Sequence, residues 1–405
     1  MNFEYFIAKR LIKQKEKTYS RPIIKIATIS IMVSVAVMLI SLSVLQGFKN
    51  EIKEKIVGFG SHVQVIPYKV GNDYQDNPIT LSNQEIQSIR DIKNIKHISP
   101  IVTKSAAIIT DNDFQGVMLK GINSNYDTTF FHNNLVLGRN ILTNKQSHQE
   151  ALISKSIADK LYLKIGSRFK VYFYLDNNYR AKNFTVVGIY DTGLGDYDDK
   201  FIICDMKPLQ EIYSWRNTDY NSYEITLNDF SLIKQSSEQI YNTIAQDKTV
   251  STITEMEPNL FSWLNLLDSN VVMIIVIMML VSIVTLSSVI LIMIFEKKTM
   301  IGVLKSFGST NKTIIKIFLY RVGYVILKGL VYGNIFAIIL EILQKQFKII
   351  SLDKTSYYLK SVPIEINIFS IVLVDIGAFV LCLICLIIPA KSISKINPIK
   401  NLRFD

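Results

Sequence analysis

The chain has 405 residues, 49% hydrophobic and 20% charged, with a formal net charge of +11. That apolar content excludes a disordered chain, and a mean hydropathy of +0.25 is high for a soluble protein and points to membrane segments. Cys204 stands alone and Cys382 and Cys385 lie in an apolar run, which excludes a disulfide framework and reads as helix packing.

In chain order, a basic segment over residues 1–25 precedes an uncharged apolar stretch over 26–48. Hydrocarbon about 30 Å thick takes roughly 20 apolar helical residues, so 26–48 is the first predicted span. It is longer than a signal-peptide core and lacks a convincing cleavage site, which favours an uncleaved anchor. A long mixed segment, 49–263, leads to a second span at 264–295. A basic loop, 296–316, then precedes a third span at 317–343. A short loop, 344–365, a fourth span at 366–388 and a basic tail at 389–405 complete the chain. The third span contains Arg321, Lys328 and Glu341, and the fourth contains Asp375. Ions in hydrocarbon are costly, so Arg321 and Lys328 are expected to snorkel or to pair with Asp375.

Charge sets the direction. The stretches before span one, between spans two and three and after span four hold 16 basic and 4 acidic residues; the remainder holds 29 and 30. All excess positive charge therefore lies on one side, which marks the cytoplasmic face. The expected fold is a membrane protein with four transmembrane α-helices, N-in and C-in, and a large α+β periplasmic domain between helices one and two. The basic balance is a topology signal, and no nucleic-acid partner is needed to explain it.

Within 49–263, strand-like runs at His62–Pro67, Ala106–Thr110, Gly116–Lys120, Arg168–Leu175, Asn183–Tyr190, Phe201–Cys204 and Tyr223–Leu227 alternate with helical stretches. Ser82 and Glu85 form a capping box. Ser154 and Asp229 are further N-cap candidates, and a division into two lobes is expected near Asn123–Asn140. The loop Asp191–Asp199 carries several aspartates without EF-hand spacing and reads as a solvated turn. His62, His97, His132 and His148 are scattered, so no metal site and no catalytic residue is expected.

In the loop 296–316, Ile301, Leu304 and Phe307 recur at helical spacing, Gly308 can end that helix, and Ser309 or Thr310 can cap the next. Two readings stay open: a helix lying on the membrane surface, or a docking helix whose apolar residues fill a partner's groove. No G-x-x-x-x-G-K-[ST] occurs anywhere, so the chain has no phosphate-cradling loop of its own.

Met-Ile-Gly-Val-Leu-Lys-Ser-Phe-Gly-Ser-Thr (300–310), the tail Pro-Ala-Lys-Ser-Ile-Ser-Lys-Ile-Asn-Pro-Ile-Lys-Asn-Leu-Arg (389–403) and the four-span layout resemble FtsX-type ABC permeases. The lipoprotein-releasing LolC/LolE branch fits best. Its likeness rests on Leu45-Gln46-Gly47-Phe48, Gly60-Ser61-His62-Val63, Leu119-Lys120-Gly121-Ile122 and Val186-Val187-Gly188-Ile189-Tyr190-Asp191-Thr192-Gly193. The resemblance implies a type VII ABC permease architecture. Two protomers, as a homo- or heterodimer, would sit on a LolD-like ATPase dimer that binds ATP and magnesium; no cofactor is expected in this chain. Ile301, Gly302, Leu304, Lys305, Phe307 and Gly308 would form the ATPase-coupling helix. The family's acidic residue there is replaced by Met300, which weakens the transfer of a charged coupling contact. A lipoprotein would meet an apolar surface made by Met38, Leu42, Leu45, Phe48, Leu264, Leu267, Val271 and Ile275, and pass to a LolA-like carrier. The alternatives are a MacB- or FtsX-like mechanotransmission permease serving export or cell-wall hydrolases, or a membrane sensor without transport. An ATPase domain fused to the permease, expected of the MacB type, is absent from these residues.

Overall fold

A computed structural model describes residues 3–13, 20–68, 77–109, 114–141, 149–175, 178–353, 357 and 359–391. Lys15, Lys17, His148 and the tail bearing Lys395, Lys400 and Arg403 lie outside the described residues. In chain order come helices α1 (Phe3–Lys13) and α2 (Ser20–Gly60), strand β1 (Val63–Pro67), α3 (Asn83–Arg90), β2 (Ile95–Ile109), β3 (Phe114–Ile122), α4 (Thr129–Asn133), β4 (Leu135–Gly138), β5 (Glu150–Ser154) and α5 (Lys155–Lys160). Then follow β6 (Arg168–Leu175), β7 (Asn178–Tyr190), α6 (Gly195–Asp198), β8 (Phe201–Asp205), α7 (Lys207–Ile212), β9 (Ser222–Leu227), α8 (Ile233–Tyr241), β10 (Lys248–Thr252) and α9 (Ile253–Met256). The chain continues with α10 (Pro258–Glu296), α11 (Lys298–Ser306), α12 (Asn311–Phe347) and α13 (Ile368–Ala390).

The chain divides into two compact units. An α+β unit takes Asn50–Ser262 together with Leu352–Lys360, and a helical unit takes the segments on either side. The helices α2, α10, α12 and α13 are long and apolar enough to cross a membrane. They overrun the apolar stretches because a helix ends where its backbone is capped, whereas hydropathy ends where charges begin. Thus α2 continues through Lys49–Lys55 to Gly60.

In the helical unit, Ile31, Val35 and Met38 of α2 meet Leu286 and Ile290 of α10, Phe318 and Val322 of α12, and Ala378 and Leu386 of α13 in one core. The spacings of three, four, seven and eight put these residues on one stripe of each helix. Hydrophobicity does not drive association between helices in lipid, so close approach of small residues matters there. Gly329 and Gly333 of α12 supply it: a Cβ on Gly333 would stand 3.0 Å from the Met32 carbonyl, and one on Gly329 2.6 Å from Ile31. The intramembrane charges find other partners than expected. Asp375 accepts a 2.6 Å hydrogen bond from Asn334, and Lys328 lies over the Tyr324 ring. Asn334 and Lys328 sit on different faces of α12, and the amide is the group that faces α13.

The α+β unit is built on a sheet ordered β10-β1-β9-β2-β3-β8-β5-β7-β4, with β6 pairing β2 and β7. Most pairs are antiparallel; β3–β8 and β5–β7 are parallel. The expected division near Asn123–Asn140 is not found. Parallel pairing of β3 with β8, Ile122 opposite Asp205, carries the sheet across it, and side-chain burial by Leu119, Ile153, Phe184 and Ile202 makes one core on that side. The capping box forms, with Glu85 N–H donating to Ser82 Oγ and Ser82 N–H to Glu85 Oε2. Ser154 caps α5, and Asp229 caps a 3-10 turn, Phe230–Leu232, ahead of α8.

Candidate functional site

The coupling segment is shaped locally. Thr310 caps α12 by accepting from the Thr313 N–H. Gly308 has φ +84°, the left-handed conformation in which glycine carries no Cβ penalty. Gly308 N–H donates to the Lys305 carbonyl and Ser309 N–H to that of Leu304, both at 3.0 Å. This pair of bonds is a Schellman stop, so α11 ends sharply and the chain reverses into α12. The six residues expected to face a partner do not share one face. Ile301 is fully buried in the helical core and Gly302 is buried too. Leu304 is partly buried against the same core, and Phe307 is 84% exposed. An amphipathic helix lying on its own bundle must spend its apolar stripe there, which leaves Val303 and Phe307 as the exposed apolar residues of the segment.

At the far ends of α2 and α10, the expected apolar surface divides likewise. Leu42, Leu45, Leu267, Val271 and Ile275 are half-buried. Met38, Phe48 and Leu264 are buried and contribute packing instead of surface. A clasp holds this end: Phe48 meets Trp263 edge-on at 6.1 Å, and Lys49 pairs with Asp268 at 2.7 Å. Gly47 lets a following segment approach, since a Cβ there would stand 2.8 Å from the Pro363 carbonyl oxygen. Pairing across this end was not legible from hydropathy, which sees Trp263 and Asp268 as boundary residues.

The α+β unit contains a buried polar cluster that sequence reasoning missed. Lys120 of β3 is 1% exposed and pairs with Glu224 of β9 at 2.6 Å. Its ammonium also donates to the Phe59 carbonyl at the end of α2 and to the Tyr126 hydroxyl. Burial pushes the Lys120 ammonium down, opposed by the Glu224 carboxylate, and pushes the Tyr126 phenol up. Around it, Phe59 packs among Phe130, Phe131, Tyr190, Tyr197 and Phe201, with ring centroids 5.1 to 6.2 Å away. The last turn of α2 is therefore gripped by polar and aromatic groups at once. Nearby, a cavity of about 440 Å³ is lined by His62, His97, Ser99, Tyr126, Phe130 and Phe230. His62 Nδ1 accepts from the Leu227 N–H at 3.0 Å, and burial draws the imidazole down to about 4.

The aspartate-rich loop is satisfied by protein donors. Asp198 accepts from the Thr192 hydroxyl and the Gly193 N–H, and burial pushes its carboxyl up to about 6. Asp199 is met by Ser156 and Lys160. Asp191 pairs with Lys360 at 3.1 Å. Among the described residues, no group of three or more His, Cys, Asp or Glu side chains could hold a metal ion.

The four apolar helices, the α+β unit inserted between the first two and the short helix between the second and third match two family models. The MacB-like periplasmic core domain covers residues 26–243, more than half of the chain, and the FtsX-like permease C-terminal region covers 272–398. The chain belongs to the MacB- and FtsX-like family of ABC transporter permeases. It is similar over 98% of both chains, at 21% identity, to the lipoprotein-releasing system transmembrane protein LolC of Xylella fastidiosa. It is similar over 99% of both, also at 21% identity, to the lipoprotein-releasing system protein LolE of Haemophilus influenzae. Among solved structures, the periplasmic region of MacB from Actinobacillus actinomycetemcomitans is similar at 16% identity and a TM-score of 0.35, covering 52% of this chain and 97% of that one. The α+β unit is a periplasmic-type domain and the four long helices form the membrane part.

Proposed function

We propose that this chain is the permease subunit of an ATP-driven complex that extracts lipoproteins from the outer leaflet of the bacterial inner membrane. It would pass them to a LolA-like periplasmic carrier for sorting to the outer membrane. The observation that carries this reading is similarity over nearly the whole length to proteins named for lipoprotein release, α+β domain included. Exposing a lipid anchor to water costs about 0.8 kcal/mol per CH₂, so extraction needs an apolar shelter and an energy source. The half-buried Leu42, Leu45, Leu267, Val271 and Ile275 line the shelter's wall. Parting the Phe48–Trp263 and Lys49–Asp268 clasp would add Met38, Phe48 and Leu264 to it.

ATP and magnesium bind a separate LolD-like ATPase dimer, and a second permease protomer completes the transporter. The α11 segment receives the ATPase. Ile301 and Gly302 anchor it to the bundle, while Val303 and Phe307 fill the partner's groove and Leu304 and Lys305 border it. Gly308 fixes its end.

Depletion of the chain followed by separation of inner and outer membranes tests the reading. Lipoproteins are expected to accumulate in the inner membrane. Correct sorting combined with a division or cell-wall defect would overturn it in favour of an FtsX-like role.

A further inference from the structure

A groove of about 860 Å³ lies within the helical unit between α1, α12 and α13. Its walls are Tyr5 of α1, Tyr320, Gly323 and Leu327 of α12, and Leu383 and Ile387 of α13. Two cations also line it, Lys9 of α1 and Lys316 of α12. Helix α1 is seated firmly enough to form a wall: Ala8 is 1% exposed, and Tyr5 meets Tyr320 edge-on at 6.1 Å. Glu4 lies 4.0 Å from Lys316, whose side chain stays 63% exposed, so the mouth keeps a net positive charge.

Depth identifies the occupant. From Lys316 to Leu327 the helix rises about 16 Å at roughly 1.5 Å per residue, which is about half of a 30 Å hydrocarbon core. The groove therefore spans one leaflet, with Lys316 at the lysine-rich end and its tyrosines where aromatic rings sit at the membrane–water interface. A soluble partner does not reach that depth beside a membrane helix. A lipid does, and its phosphate complements the two ammonium groups. Gly323 keeps the floor open, because a Cβ there would meet only Leu383, at 3.9 Å.

We propose that this groove is a binding site for one anionic glycerophospholipid from the leaflet beside the lysine-rich loop. Its phosphate lies between Lys9 and Lys316 and one acyl chain runs along Gly323 and Leu383. The site stands apart from the surface between α2 and α10 and does not depend on what the protein transports. By fixing α1 against α12, the lipid becomes a structural member of the cytoplasmic half of the bundle.

The test uses the full chain, purified in mild detergent, stripped of lipid and titrated with phosphatidylglycerol or phosphatidylcholine of identical acyl chains, with bound lipid read by native mass spectrometry. One phosphatidylglycerol per chain is expected at concentrations where phosphatidylcholine is not retained. Combining Lys9→Gln with Lys316→Gln should lower phosphatidylglycerol affinity roughly tenfold or more, with thermal stability in detergent unchanged. Gly323→Leu, which fills the floor, should lower retention of both lipids. Equal retention of the two lipids by the unaltered chain would overturn the proposal, as would phosphatidylglycerol binding that survives the double lysine change. Displacement of the lipid by a second copy of the chain, seen as a dimer that Gly323→Leu abolishes, would also overturn it.

Discussion

Lys120 shows how a single side chain can join distant parts of a domain. Its ammonium is buried against Glu224, with the Phe59 carbonyl and Tyr126 as further partners. A buried pair is not strongly stabilising in itself, but removing one partner strands the other charge at about 3–5 kcal/mol. Lys120→Met is therefore expected to lower the unfolding free energy of the α+β unit by that amount, seen as a lower urea midpoint in the tryptophan emission of the full chain. Adding Glu224→Leu should recover most of the loss; an unrecovered double variant would mean that the Phe59 carbonyl, left without its donor, dominates. His62 makes a pH prediction. Its folded value of about 4 lies below the ordinary 6.5, so above pH 6.5 it is neutral folded or unfolded. As pH falls from 6.5 towards 4, the unfolded chain takes up a proton that the folded chain refuses, and stability is lost. Asp198, raised to about 6 from 3.8, acts with the opposite sign: its contribution is full below 3.8 and is lost as pH rises through 6. His62→Asn keeps an acceptor for the Leu227 N–H and should flatten only the acid-side loss in melting temperature between pH 6.5 and 4.

Among elements, what the sequence made legible is what is local. The Ser82–Glu85 capping box, the Ser154 cap and the Gly308 stop each close within five residues, and each forms as expected. Sheet order was not legible, because β1 finds its partners in β9 and β10, far along the chain, and strand pattern carries no pairing information. Which face of α11 points outward was not legible for a different reason. A single amphipathic stripe has one best use, and Ile301 spends it on the chain's own core. The glycine pair Gly329 and Gly333 has a G-x-x-x-G spacing, but spacing alone does not name the helix that it meets. Gly333→Leu should push α12 off α2, since even a Cβ would crowd the Met32 carbonyl. The expected result is a drop in detergent-extracted yield and melting temperature, with Gly377→Ala, which meets nothing within 4 Å, as a neutral control. On α11, Phe307→Asp should release a co-purifying ATPase while leaving the melting temperature unchanged, because Phe307 is 84% exposed. Leu304→Asp should lower both, as it also packs on the core. ATPase retention undiminished in both variants would remove α11 from the coupling interface.

For the whole molecule, direction across the membrane decides which partners α11 can meet. The three stretches that carry the excess positive charge hold 16 basic against 4 acidic residues, and the α11 segment lies in one of them. The α+β unit has no such excess, and a domain of its length crosses largely regardless of charge. Two exposed residues, Tyr162 at 87% and Phe307 at 84%, report the two sides. The native cysteines do not compete strongly: Cys204 and Cys382 are buried and Cys385 is partly so, and all three can be replaced by alanine as a precaution. In that background, Tyr162→Cys should react with a membrane-impermeant maleimide once the outer membrane is opened. Phe307→Cys should react only after the inner membrane is also breached. The reverse pattern would turn the transporter over and place the α11 segment where no cytoplasmic ATPase can reach it. Labelling of both positions from one side would mean an even number of crossings between them. Since Tyr162 and Phe307 are separated in the chain by α10 alone among the long apolar helices, opposite labelling follows if α10 crosses the bilayer once, and same-side labelling would show that it does not.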